Sequence, residues 1–174
     1  LAGHAEYHER MTDPASPASP PAPLPPVRSS PVSRATLLAY VFLIVYASWF
    51  PFTGWHSNGL SPLTFLENTR MPRYWTGFDV GINVVGYIPL GALIVYSLFP
   101  RITGFFAVIV ASLCGMLISG SMEAVQTYLP SRVSSNLDFY TNSAGGCIGA
   151  IIGALTARKL LDHSHLYRLR QRWF

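Results

Sequence analysis

Seven side chains in this sequence could do chemistry together: Asp79 and Asn83, Glu123 and Gln126, Arg132, and Asp138 and Asn142. An arginine's planar fork holds a phosphate or carboxylate bidentately, so Arg132 is the residue to meet an anionic group. Carboxylates could divide acid and base work, or supply oxygens to Mg or Ca. Nothing in the spacing requires either: there is no Ser-His-Asp set, His-rich metal motif or P-loop, so no cofactor is expected and catalysis is not demanded. The seven are read as a ligand-binding set, with a plainer account beside each. Ser135-x-x-Asp138 opens a helix by capping its free N–H groups. Asn83, Gln126 and Asn142 suit interhelical hydrogen bonds worth about 1 kcal/mol each in membranes. Asp79 also suits an ordinary helix start. Glu123 resists such an account, because it falls at a helix C-terminal end, where the dipole disfavours an anion. Glu123 with Arg132 is therefore the expected pair. His56, next to Trp55, reads as interfacial.

The elements that must hold these residues are membrane spans. Half of the 174 residues are hydrophobic and only 11% are charged, against about a quarter charged in soluble domains. Apolar windows run over Ala35–Leu66, Val80–Pro100, Ile102–Met122 and Phe139–Ala157. A helix of about 20 residues crosses about 30 Å of hydrocarbon, so four transmembrane helices are expected, the first over Ala35–Phe52. The fold class is all-α, an integral membrane bundle. Residues 1–33, with PASPASPPAPLPP at their centre, read as a disordered Pro-rich tail, 34–158 as the membrane domain and 159–174 as a basic amphipathic tail suited to an anionic leaflet. Met11 is an alternative start to Leu1, and the first span, far from the N-terminus and without a small-residue cleavage site, reads as a retained anchor.

Charge sets the orientation. Arg28, Arg34, Arg101, Arg158, Lys159, Arg168, Arg170 and Arg172 fall on one side and Arg70, Arg73 and Arg132 on the other, which gives N-in and C-in. Positive residues flank the spans without forming an aromatic-interleaved patch, so nucleic acid is excluded as a partner. Cys114 and Cys147 lie in apolar runs with no metal spacing.

Alternating topology then gathers the polar residues. Asp79, Asn83, Gly86 and Leu90 share one helical stripe, Ser119, Glu123, Gln126 and Pro130 a second, and Asp138, Asn142, Gly145, Gly149 and Gly153 a third. The start of the second span and the ends facing it on the third and fourth lie on one side, the outer one, and so form one pocket. A carboxylate facing lipid costs a few kcal/mol, which turns these groups inward. Gly145, Gly149 and Gly153 form a doubled small-xxx-small ridge. It is expected to sit inside the bundle against Gly115 and Ser119, or as a second reading to mate two copies as a homodimer. Pro89 and Gly91 are expected to permit a kink.

The pattern Asp79-x-x-x-Asn83 with Gly86, Pro89 and Gly91, then Glu123-x-x-Gln126-x-x-x-Pro130-x-Arg132, then Asp138-x-x-x-Asn142-x-x-Gly145 with Gly149 resembles the VanZ-like family of bacterial membrane proteins over roughly Arg34 to Arg158. Many relatives carry Lys and His in the second-span stretch, which here reads Asp79-Val80-Gly81-Ile82-Asn83, so no histidine role is carried over. The resemblance implies a multi-pass protein of the bacterial inner membrane and cell envelope, with membrane lipids as surroundings. It also implies a link to glycopeptide (teicoplanin) antibiotic resistance or envelope biogenesis. The expected function is binding of an anionic envelope component, such as a lipid-linked cell-wall or polysaccharide precursor, at the outer pocket. The alternatives are a membrane enzyme acting on lipid or polysaccharide head groups and a structural bundle without a ligand.

Overall fold

The computed structural model describes residues 30–67 and 74–161. Most of the tail expected over 1–33, Arg70, Arg73 and most of the basic tail over 159–174 lie outside the described residues. Among the described residues five helices follow in order: α1 (Pro31–Trp49), α2 (Thr64–Glu67), α3 (Gly77–Leu98), α4 (Gly104–Gln126) and α5 (Asn136–Leu161). Among the described residues there is no strand, and α1, α3, α4 and α5 are long and apolar enough to cross a membrane. The expected four-span bundle is present. The short α2 in the loop after α1 has no apolar period long enough to read from sequence.

Helix ends follow local chemistry. Helix α1 begins inside the stretch assigned to the Pro-rich tail, because Pro31 sits in the first turn, where its missing N–H is no loss. Ser30 caps it by accepting from Ser33 N at 3.3 Å. Helix α3 opens on a capping box in which Thr76 and Asp79 exchange hydrogen bonds. Helix α5 opens as the Ser135-x-x-Asp138 spacing predicts, Ser135 Oγ accepting from Asp138 N at 3.4 Å. Its last turn carries Arg158 and Lys159, matched to the negative end of the dipole.

The bundle is organised around α3 and α5, which run parallel. Gly145 lies on Val84, Gly149 on Ile88 and Gly153 on Ala92, and a Cβ at Gly145 or Gly149 would run into the backbone carbonyl opposite. Gly91 returns the contact, lying against Gly146 and Ala150. Lipid supplies no hydrophobic drive between helices, so dispersion at this close range does the work. The glycine ridge is thus inside the bundle, as expected, but its neighbour is α3 rather than Gly115 and Ser119. Gly146, one position off the ridge, is the residue that meets Gly115 of α4. The reason is periodicity: α5 has small residues on two faces, and the face carrying every fourth glycine belongs to its closest partner. Within the single chain the ridge is occupied by α3.

Helix α4 runs antiparallel to α5, and α1 antiparallel to α3. Tyr40 on α1 donates to Gly86 O at 2.7 Å, in the turn loosened by Pro89. Ser97 Oγ donates to Ser33 O at 3.3 Å near the other end. Helix α3 remains continuous through Pro89. Leu90, Val95, Ala107, Ala111 and Ala150 are almost fully buried at the centre.

Candidate functional site

The end of α1, the start of α3, the end of α4 and the start of α5 meet at one end of the bundle, together with the loop carrying α2 and the turn between α4 and α5. That turn folds tightly, Leu129 N donating to Gln126 O at 2.9 Å and Arg132 N to Leu129 O at 3.1 Å, with Leu129 buried as its plug. The loop after α1 lies over it: His56 N donates to Tyr128 O at 3.2 Å and Asn58 Nδ2 to Thr127 O at 3.1 Å. Gly54 makes this possible, since its φ is +78° and a Cβ there would sit 3.1 Å from Pro130 Cγ. Phe65 of α2 is buried against Phe139 of α5, their ring centroids 5.6 Å apart.

Between these pieces is a cavity of about 900 Å³. Asp79, Asn83, Gln126, Arg132 and Asp138 line it, so five of the seven residues expected in one pocket do share one. Glu123 and Asn142 do not line it; both are buried below. The remaining wall is amphipathic, with Phe65, Tyr74, Trp75 and Ile82 beside His56, Asn58, Thr64 and Ser134. The loop residues His56 and Asn58 were not legible as site residues, because hydrogen bonds to backbone carbonyls at Thr127 and Tyr128 bring them there and these leave no trace in residue spacing.

Asp79, Asn83, Gln126 and Asp138 each have a definite partner. Asn83 Nδ2 donates to Asp138 Oδ1 at 2.9 Å, joining α3 to α5 across the cavity. Asp79 turns back on its own helix start, where Oδ2 accepts from Thr76 N at 3.0 Å and from Thr76 Oγ at 2.8 Å. Gln126 Nε2 donates to Ser48 O of α1 at 3.2 Å.

The expected Glu123–Arg132 pair does not form. Arg132 Nη2 donates to Ala47 O at 2.8 Å and Nε to Phe50 O at 3.3 Å, so the guanidinium caps the C-terminal end of α1. Unsatisfied carbonyls at that end carry the negative part of the dipole, which a cation favours. Glu123 Oε2 instead accepts from Ser135 N at 2.8 Å, and Glu123 O from Ser134 Oγ at 2.8 Å. A carboxylate at the end of α4 is thereby aimed at the N-terminal end of α5, which resolves the dipole conflict seen in α4 alone. Arg132 remains exposed, and a guanidinium has five donors of which α1 uses two. It is the one Lys or Arg among the described residues that line the cavity.

Chemically, the arrangement offers free guanidinium donors at the mouth, acceptor oxygens from Asp79 and Asp138 on the wall, and aromatic surface between them. It suits a molecule with an anionic group, several hydroxyl or amide donors, and an apolar portion.

No curated protein and no solved structure matches the chain significantly. The family described as VanZ/LLP1 matches residues 35–157, well over half of the sequence and all four apolar helices apart from their outermost turns. With those four helices, this is a multi-pass membrane protein. The chain belongs to the VanZ/LLP1 family.

Proposed function

We propose that this protein binds the head group of an anionic amphiphile of the bacterial envelope, of the class of lipid-linked cell-wall or polysaccharide precursors. The pocket would open on the outer face of the inner membrane. The observation that carries this reading is Arg132: its guanidinium is held in place by the α1 carbonyls yet keeps donors free in a cavity walled by Tyr74 and Trp75. The α1 bonds fix the fork before a ligand arrives, which lowers the ordering cost of binding. Asp138, oriented by Asn83, and Asp79 accept from sugar hydroxyls or amides, and the aromatic residues take the apolar boundary of the lipid. A contribution to glycopeptide resistance or envelope assembly would follow from sequestering or presenting such a precursor.

The test is binding of a fluorescent polyprenyl phosphate to the protein in nanodiscs. Saturable binding in wild type, weakened about tenfold or more by Arg132→Ala and partly restored by Arg132→Lys, is expected; the loss corresponds to about 1.4 kcal/mol or more. Equal binding by wild type and Arg132→Ala removes the arginine from the site. Binding of neutral diacylglycerol as tight as that of the phosphate would reject an anionic ligand.

A further inference from the structure

Below the cavity floor, in the bundle interior, four polar side chains from three helices lie where the proposed head-group site does not reach: Tyr87 of α3, Ser119 and Glu123 of α4, and Asn142 of α5. Their relative exposures are 6%, 0%, 2% and 6%. The Tyr87 hydroxyl lies within hydrogen-bonding reach of Ser119 and close enough to Glu123 to feel its charge. Asn142 is placed by register: Gly115 faces Gly146 across the antiparallel α4–α5 pair, so one turn further on Ser119 faces Asn142, and one turn beyond that Glu123 approaches Ser135 and Asp138.

Three of these side chains have an unmet demand. Tyr87 Oη, Ser119 Oγ and Asn142 Oδ1 are buried without a well-aligned hydrogen bond, the two hydroxyls approaching each other without closing one. A serine on a helix ordinarily donates to the carbonyl four residues back, as exposed Ser121 and half-buried Ser143 do here at 2.7 and 2.6 Å. Ser119 does not, although nothing in its sequence context forbids it. Glu123 adds a carboxylate with one oxygen bonded to Ser135 N. The one cavity-lining arginine is committed to the end of α1, so no side-chain cation neutralises Glu123 among the described residues.

We propose that Tyr87, Ser119, Glu123 and Asn142 form an internal binding site for a dehydrated monovalent cation of sodium size. The donor atoms are all hard oxygens, the class that suits such ions. One carboxylate supplies a single negative charge, which balances a monovalent ion and undercharges a divalent one. The group is also rich in acceptors: Asn142 Oδ1 and the carboxylate oxygens only accept, while the two hydroxyls offer lone pairs as readily as protons. The hydroxyls could donate to a water as well, but only a cation also neutralises the Glu123 carboxylate. Ser134 and Ser135, which line the cavity and bond Glu123, form the layer between this site and the cavity and define the entrance from it.

The experiment is thermal unfolding of the full chain in detergent, titrated with NaCl against choline chloride at constant ionic strength, with ²³Na relaxation as a direct readout. A saturable rise of the midpoint by several degrees, specific to sodium over choline and accompanied by sodium line broadening, is expected. Glu123→Gln, which keeps an acceptor for Ser135 N, should abolish both signals. Ser119→Ala, which removes one oxygen at little cost in volume, should shift the sodium dependence to at least tenfold higher concentration. Equal stabilisation by choline, or a sodium response unchanged in both variants, would overturn the site and leave ordered water as the occupant. The measurement contains no lipid ligand, so its failure does not touch the head-group reading.

Discussion

Substituting Gly149 by alanine tests the backbone-to-backbone contact on which the fold depends. The added Cβ would run into the carbonyl of Ile88, and the adjoining Ile88 Cα would stand 2.9 Å away. A Cα–H···O contact settles at about 3.3–3.6 Å, so α3 and α5 must separate, and neither backbone can yield as a side chain would. Overpacking of this kind costs about 1–3 kcal/mol or more. Against it, alanine has a higher helix propensity than glycine by about 0.8–1.0 kcal/mol. The net expectation for Gly149→Ala is a loss of up to about 2 kcal/mol. Gly146, three residues away and equally buried, is the control: a Cβ there meets only Gly115 Cα, at 3.9 Å. Gly146→Ala should therefore keep the propensity gain and raise stability by up to about 1 kcal/mol. The assay is reversible unfolding in mixed micelles followed by circular dichroism. If the two variants move stability alike, or Gly149→Ala is the more stable, the close parallel α3–α5 pair is wrong.

Four further outcomes follow from the site. Glu123→Ala should destabilise by about 1–3 kcal/mol, because Ser135 N is left unpaired, while Glu123→Gln should cost clearly less; chemical denaturation reads both. A double-mutant cycle on Asn83→Ala and Asp138→Ala should give a coupling of about 0.6–1.7 kcal/mol, and additivity would deny their bond. Asp79→Ala should lower stability by about 0.5–2 kcal/mol through loss of the capping box, with head-group binding changed less than in Arg132→Ala. With Cys114 and Cys147 replaced, Asp79→Cys should react with an impermeant thiol reagent added outside the cell; reaction only from the cytoplasmic side would reverse the topology.

Much of the site could be read from sequence because membrane crossing turns distance along the chain into depth. The spacing of Asp79, Glu123 and Asp138 by span lengths placed all three at one end of the bundle, and Ser135-x-x-Asp138 marked the start of α5 correctly. What failed were pairings with the backbone. Charge complementarity matched Glu123 to Arg132, but the partners are Ser135 N and the carbonyls of Ala47 and Phe50, groups every residue carries and no letter of sequence distinguishes. The glycine ridge failed for a related reason: small residues show that a neighbour comes close without showing which neighbour. His56 and Asn58 joined the cavity through a loop that only Gly54 allows to fold onto Pro130.

The two halves of the bundle are fastened by different means, and this divides them mechanically. Where one main chain is seated in the grooves of another, as α3 is on α5, sliding by a fraction of a turn brings atoms into collision, so the pair behaves as a stiff spine. Helix α1 is held by side-chain packing around Ile44 and by single hydrogen bonds, to α3 through Tyr40 and Ser97 and to α4 and the turn after it through Gln126 and Arg132, each of which can release and re-form. If the proposed head group needs a wider chamber, α1 is the wall expected to give, and Arg132, its bond to Ala47 broken and re-formed, would be the latch on it.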